Sequence, residues 1–238
     1  MGLFAGRSVE RIPGVSGGPM AERILIDQQA QGFFEELWQH GDHWEFDSSA
    51  FEQARYARLL ALLDGRRYAH ILELGCGSGA FTRHLVRVAD HVVALDISPT
   101  AIARACVLWA GPATVDFRQA NIMEYDLQAE GPWDLVVLSD TMCYLGWLYS
   151  FFDVSWFASQ LFAATRVGGH CLFANAMGEF GDMLLLPWLI RTYGSLLHNV
   201  GFHLETEEIF RGTKHGVTIE VLMSLFSKRA ELVSNGAS

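Results

Sequence analysis

The chain has 238 residues, enough for one sizeable domain. Half of it is hydrophobic and 18% is charged, which excludes a disordered chain with too little apolar surface to offset its ordering entropy. Lys plus Arg is 17 against 27 Asp plus Glu, and the formal charge of −10 speaks against a binder of phosphate backbones, so no nucleic-acid partner is expected.

Residues 1–20 are Gly-rich and aperiodic, and read as a mobile tail. They show no apolar h-region for secretion, and Gly6 stands where a myristoylation signal needs Ser or Thr. Residues 22–40 carry Ile24, Leu25, Phe33, Phe34, Leu37 and Trp38, which predicts an amphipathic helix ending near Gly41. A polar-aromatic link, Asp42 to Asp47, follows. Ser49 then precedes Glu52 by three residues, a capping box opening a helix that Gly65 closes. Residues 21–65 are thus expected to be helices forming a lid.

From there the pattern alternates. Short β-rich runs occur at His70–Leu74, His91–Asp96, Thr114–Gln119, Trp133–Ser139 and His170–Ala176. Helical stretches separate them, around 79–89, 99–110, 153–166 and 182–199, the second opened by Ser98 and Pro99. Strands alternating with helices imply a doubly wound α/β fold, and the continuous apolar runs suit strands covered on both faces. The end differs: Phe202–Thr213 and Val217–Ser227 flank Lys214, His215 and Gly216, which predicts an antiparallel hairpin on a mostly parallel sheet. Residues 66–228 read as one domain, and 229–238 as a flexible C-terminus.

From Pro132 to Ile190 only six residues in 59 are charged. The most membrane-like stretch is Tyr144 to Thr165, but Asp153 near its middle would cost roughly 3 kcal/mol in a bilayer, so no membrane span is expected. Burial accounts less easily for the run Met183 to Ile190. We expect it, with Trp188, to line an apolar acceptor pocket or to dock a partner. The four cysteines, Cys76, Cys106, Cys143 and Cys171, lie at least 28 residues apart, which reads as reduced and mostly buried thiols of a cytoplasmic protein. The histidines show no metal-ligand spacing, so no metal is expected.

The strongest motif is Glu73-Leu74-Gly75-Cys76-Gly77-Ser78-Gly79, after a strand and opening a helix. Glycines serve where backbone turns tightly or approaches a ligand. Asp96 lies 21 residues beyond Gly75, at the end of the next strand, where a carboxylate can accept both hydroxyls of a ribose. Two cofactors suit this geometry. Gly75, Gly77 and Ala80 satisfy the dinucleotide pattern, which admits NAD. Glu73 would repel a pyrophosphate but can meet the ammonium of S-adenosylmethionine.

With the final hairpin, these motifs resemble the class I S-adenosylmethionine-dependent methyltransferases over about residues 40–227. The resemblance implies a Rossmann-like, seven-stranded, mostly parallel sheet with the C-terminal antiparallel hairpin. It implies that Glu73, Gly75, Cys76, Gly77 and Gly79 form the first cofactor motif. Asp96 and Ile97 would hold the ribose, and Asn121 and Ile122 the adenine. Ser139 and Asp140 would end the fourth-strand motif beside the reactive methyl. Trp44 and the segment Ser49 to Tyr56 are similar to the rhizobial NodS-like N-methyltransferases, which methylate an amino sugar; that subfamily shows Asp-Pro-Trp where this chain has Asp42-His43-Trp44.

The remaining candidates have two readings each. Asp140 caps its strand or contacts substrate. Tyr144 lines the pocket or belongs to the core. Trp44 covers the cofactor or packs. Arg55 pairs with the cofactor carboxylate or with Glu52 across one helical turn. His215 accepts a proton at neutral pH or is a solvated turn residue. Together these imply methyl transfer to an amine or hydroxyl of a small molecule, such as an amino sugar or secondary metabolite, with a partly apolar acceptor; a homodimer stays open. Residues Phe180 to Trp188 would join the lid. The rival readings are a NAD(P)-dependent oxidoreductase and a non-catalytic binding protein of the same fold.

Overall fold

A computed structural model of the protein describes residues 19–63, 65–110, 114–178 and 183–230. Two helices come first, α1 (Pro19–Gln39) and α2 (Ala50–Leu62). An alternating series follows: β1 (Tyr68–Leu74), α3 (Thr82–Leu85), β2 (Ala89–Asp96), α4 (Pro99–Leu108), β3 (Val115–Gln119), β4 (Trp133–Ser139), α5 (Met142–Leu148), α6 (Phe151–Ala164), β5 (Thr165–Met177) and α7 (Pro187–Asn199). The hairpin strands β6 (His203–Lys214) and β7 (Val217–Ser227) end it.

The strands form one seven-stranded sheet in the order β3-β2-β1-β4-β5-β7-β6. β1 to β5 pair in parallel, and β7 runs antiparallel to both β5 and β6. The expected architecture is therefore present. Strand order reverses between β1 and β4, so the chain leaves these neighbours in opposite directions and a crevice opens at their C-terminal ends. Alternate residues face opposite sides of the sheet. Leu72, Leu74, Val136, Leu138 and Phe173 pack under α5, α6 and α7. Ile71, Leu135, Val137 and Leu172 pack with Phe51, Tyr56, Leu59 and Leu63 of the α2 segment. Both faces are buried, which is why the strands read as continuous apolar runs.

Several boundaries differ from the sequence expectation. α3 has four residues, because the turn of the glycine motif runs on to Phe81 before helix begins. β5 starts five residues early, at Thr165, and its register with β4 shifts between Trp133 and Leu135. α5 was not expected at all. α7 begins at Pro187 rather than near 182, since proline suits a first helical position and nothing further in. α1 takes in Pro19 and Met20, the last two residues of the expected tail. Residues 1–18 of that tail, 180–182 of the expected lid and 231–238 of the expected C-terminus lie outside the described residues.

The capping box also lies elsewhere. Ser49 is the N-cap of α2 but makes no side-chain cap bond. Glu52 accepts instead from Lys214 Nζ at 2.9 Å. The complete box is at α6: the Asp153 N–H donates to Ser150 Oγ at 3.2 Å, and the Ser150 N–H donates to Asp153 Oδ2 at 3.2 Å. Asp153 thus sits at a solvated helix start, not inside an apolar span. Among the described residues, no helix is long and apolar enough to cross a membrane. All four cysteines are free thiols, but Cys106 is exposed rather than buried. Replacing Ser150 with Ala should cost about 1 kcal/mol and lower the melting temperature by ~2–4 °C. An unchanged melting temperature would show that the box contributes nothing.

Candidate functional site

The crevice is built where β1, β2 and β4 end. After Leu74 the chain turns back across β2: the N–H groups of Gly75 and Cys76 both donate to the Leu95 carbonyl, at 2.8 and 2.9 Å. At Gly75 (φ +79°) a Cβ would lie 3.0 Å from Thr141 Oγ1, which itself donates to the Leu74 carbonyl. At Gly77 (φ +55°) a Cβ would lie 2.7 Å from the Trp38 ring. Side chains at either place would push the loop off its neighbours. Asp96 holds the loop from the side. Its Oδ2 accepts from the Gly77 N–H and its Oδ1 from the Ser98 N–H, each at 2.9 Å. Burial pushes the Asp96 carboxyl up to about 6 against these hydrogen bonds.

Helix α1 lies across this floor. Glu35 accepts from Ser98 Oγ at 2.7 Å, from Thr100 Oγ1 at 2.5 Å and from the Thr100 N–H at 3.1 Å. Some burial opposes its charge, but these donors win and bring the carboxyl down to about 2. At the β3 end, Asn121 Nδ2 donates to Asp27 Oδ1 at 2.9 Å, and Tyr149 Oη donates to the same oxygen at 2.7 Å. Asn121 Oδ1 accepts from the Met123 N–H at 3.0 Å. The residues Ala30, Phe34 and Trp38, spaced by four, give α1 one stripe facing the crevice.

The β4 end carries Ser139, Asp140 and Thr141. Asp140 sits in the left-handed region (φ +53°), which Asp tolerates better than most residues. Its Oδ1 accepts from the Ala176 N–H at 2.7 Å, and its Oδ2 accepts from Arg55. Arg55 is buried, and its Nε lies 3.0 Å from Glu52 Oε2. Lys214 completes the set by reaching Glu52 and the Trp44 carbonyl. Two carboxylates thus face two cations in one partly buried network.

The result is a half-open cleft with an interior volume of about 120 Å³. Of the residues singled out from sequence, Trp44, Gly75, Gly77, Asp96, Ile97, Asn121, Ile122, Ser139, Asp140 and Tyr144 line it. Glu73, Cys76, Gly79, Arg55 and His215 are not among the lining residues. Glu73 is buried beneath the loop, where Thr82 Oγ1 donates to it at 2.5 Å. Gly79 leaves room for the Phe117 ring. Arg55 is held by Glu52 and Asp140 and faces no open space. His215 is exposed in the hairpin turn, and its Nε2 bonds Glu45 Oε2 at 2.7 Å, so it clasps the 42–47 link rather than facing the cleft. None of the residues 183–190 lines the cleft either. Trp188 is 65% exposed while Ile190 is in the core, so residues 187–190 are the amphipathic start of α7.

Sequence reasoning missed Ala30, Phe34, Trp38, Phe46, Thr141, Leu145, Leu148 and Tyr149. The four-residue spacing of the first three was the available signal. Phe34 meets Tyr144 edge-on with centroids 5.0 Å apart, Trp38 lies 5.6 Å from Trp44, and Trp44 stacks on Phe46 at 5.4 Å. These rings wall the cleft.

The buried acids have a consequence for stability. Burial pushes Glu73 from 4.5 up to about 8, only partly offset by Thr82, and Asp96 adds to the rise. The folded state therefore holds a proton that the unfolded chain releases near 4.5. That contribution is present below about 4.5 and is lost as pH rises to about 8. The melting temperature should fall between pH 6 and 8.5, and Glu73→Gln should reduce that fall by ~3 °C or more. Parallel pH curves for the two proteins would contradict this.

The family profile described as Nodulation protein S (NodS) matches residues 27–150, just over half of the chain. Nodulation protein S of Rhizobium tropici is 29% identical over 136 residues, covering 57% of this chain and 55% of that one. Phosphoethanolamine N-methyltransferase of Triticum aestivum is 29% identical over 119 residues, covering 50% of this chain and 23% of that one. The chain spans about half the length of the curated NodS relatives it matches. The crystal structure of N-methyltransferase NodS from Bradyrhizobium japonicum WM9, in complex with S-adenosyl-L-homocysteine, superposes with a TM-score of 0.70 at 22% identity, over 86% of this chain and 99% of that one. That likeness establishes the shared class I methyltransferase fold. With the profile match running from α1 through the glycine loop to α5, the chain belongs to the NodS family.

Proposed function

We propose that the protein is an S-adenosylmethionine-dependent methyltransferase acting on an amine, or a hydroxyl, of a small molecule. The observation that carries the reading is one cleft with Asp96 beside the glycine loop at one end and Asp140 at the other. Family membership and the S-adenosyl-L-homocysteine bound to the Bradyrhizobium japonicum NodS relative support it. Residues 66–228 would form the catalytic domain, and α1 and α2 its lid. The free thiols suit a reducing compartment, which supports the cytoplasm as the place of action.

The lining residues fit the donor. Gly75 and Gly77 leave a cradle that a Cβ would fill, and Asp96 and Asn121, which the family resemblance assigns to ribose and adenine, line the same cleft. The loop suits a dinucleotide less well. The N–H groups of Gly75, Cys76, Gly77 and Gly79 already donate to Leu95, Asp96 and Cys76 acceptors, so few remain to cradle a pyrophosphate. S-adenosylmethionine supplies, when bound, an activated methyl group.

The protein's own residues then need only align a nucleophile and exclude water. Alignment alone can contribute roughly 7–11 kcal/mol at best. Asp140 is fixed by Arg55 and the Ala176 N–H, and its remaining lone pairs can accept an N–H of the acceptor amine. It orients that nitrogen and can take the proton it sheds. Tyr144 and Phe34 close the adjacent wall, and α1 with Trp38 keeps water out. His215 has no part in this chemistry.

Titration with S-adenosylmethionine or S-adenosylhomocysteine should raise the melting temperature by about 5 °C or more at a hundredfold excess over Kd. Asp96→Asn should lose most of that rise. A rise with NADH and none with either sulfur compound would contradict the reading. Gly77→Ala, which forces a Cβ against Trp38, should weaken donor binding more than tenfold with an unchanged circular dichroism spectrum. Wild-type binding in that variant would remove the loop from the site.

A further inference from the structure

Asn121 lines the cleft with Asp96 and Ile97, and its amide has partners of fixed polarity. An asparagine amide offers two N–H donors and two acceptor lone pairs. Oδ1 accepts from the Met123 N–H at 3.0 Å, and a backbone N–H can only donate. Nδ2 donates to Asp27 Oδ1 at 2.9 Å, and a carboxylate can only accept. The second amide hydrogen has Tyr149 Oη within reach, 3.3 Å from Nδ2. That phenol donates its own proton to Asp27 Oδ1 at 2.7 Å, so its oxygen is left to accept. Burial, reinforced by Asp27, pushes the Tyr149 hydroxyl up, and it stays protonated.

Turning the amide over would set Asn121 Oδ1 against the Asp27 carboxylate and Nδ2 against the Met123 N–H. Both hydrogen bonds would be lost in a partly buried place, which is costly. Only one orientation is therefore satisfied. In it both amide hydrogens are engaged, and one lone pair of Oδ1 remains. Asn121 thus offers the cleft an acceptor, which can read only a donor. Asp27 is not among the lining residues. It is held from behind by Arg23, one helical turn earlier on α1. The Arg23 Nε lies 3.5 Å from Asp27 Oδ1, its Nη1 reaches Asp153 of α6 at 2.9 Å, and its guanidinium lies 4.8 Å over the Tyr149 ring.

We propose that Asp27 is a positioning residue: by fixing the Asn121 amide, it makes the cleft select a donor base with an exocyclic amine over one with an oxo group at that place. The proposal rests on the methyl-transfer reading, in which Asn121 meets adenine, and adds the residue that orients it. Asp27 acts through Asn121. An oxo group would bring two acceptors together and leave the remaining lone pair of Oδ1 unpaired, and a site built to form a hydrogen bond discriminates strongly in such a case.

The test compares S-adenosylhomocysteine with S-inosylhomocysteine, which carries an oxo group in place of the amine, by calorimetric titration of the full-length protein. Wild type should bind the adenosyl compound tighter by about tenfold or more. Asp27→Asn sets beside Asn121 a group that can donate or accept, so both amide orientations become available and the ratio should fall to about threefold or less. Tyr149→Phe leaves Asp27 in place and frees one amide hydrogen; the ratio should fall there too, which keeps the proposal testable if Asp27→Asn does not fold. Glu35→Gln loosens α1 at another point and should weaken both ligands alike, leaving the wild-type ratio. Equal wild-type affinities would overturn the proposal. So would an unchanged ratio in the folded Asp27 or Tyr149 variant, or a ratio that collapses as far in Glu35→Gln. Equal binding of both compounds leaves the methyl-donor reading standing, whereas binding of neither by wild type sinks that reading and the proposal with it.

Discussion

One carboxylate, Asp96, holds together the two loops from which the cleft is made. It accepts from Gly77 in the loop after β1 and from Ser98 in the loop after β2. Ser98 in turn caps α4 and donates to Glu35 of α1. The path from the glycine loop to α1 therefore runs through Asp96 and Ser98, both buried. Glycine at 75 and 77 makes this path sterically open, and the crossover between β1 and β4 gives it a crevice to border. Burial makes the Asp96 charge costly, and the hydrogen bonds it collects are what keep it in place.

The second organising feature is long-range. Lys214, at the end of β6, reaches Glu52 on α2 and the Trp44 carbonyl in the link, and His215 beside it holds Glu45. The hairpin thus fastens the N-terminal segment over the sheet. Through Arg55, the same network positions Asp140. Removing one member of such a set leaves its partner buried and uncompensated, at a cost of about 3–5 kcal/mol. The aromatic wall of Trp38, Trp44 and Phe46 owes its position to this fastening and to the Glu35 contacts of α1.

Much of this was legible in the sequence, for identifiable reasons. The parallel core announced itself because strands buried on both faces are apolar without interruption, as in Trp133–Ser139. The glycine loop and Asp96 stood out because backbone geometry demands those residue types at that spacing. What could not be read was pairing in space. Arg55 and Asp140 are 85 residues apart, and Lys214 and Glu52 are 162 apart. Nothing local marks either pair, so the sequence leaves Arg55 and His215 with two readings each, and in the structure Arg55 pairs with Glu52 and Asp140 while His215 bonds Glu45. Local patterns also misled where two sites competed. Ser49 and Glu52 have capping-box spacing, but the tertiary pull of Lys214 takes Glu52 away, while Ser150 and Asp153 form the box in a stretch that looked membrane-like. The run Met183 to Ile190 reads as a pocket wall or a docking segment, because composition does not distinguish the buried Ile190 from the exposed Trp188.

Everything proposed for the cleft turns on a donor held with its nucleoside at Asp96 and its sulfur facing Asp140. A crystal structure of the protein with S-adenosylhomocysteine tests that directly. It should show the ribose hydroxyls on the Asp96 carboxylate and the thioether sulfur turned toward Asp140 and Tyr144, with the Arg55 contact to Asp140 retained. A nucleoside bound away from Asp96, or a sulfur turned toward the β3 edge, would contradict the assignment of the cleft and everything built on it.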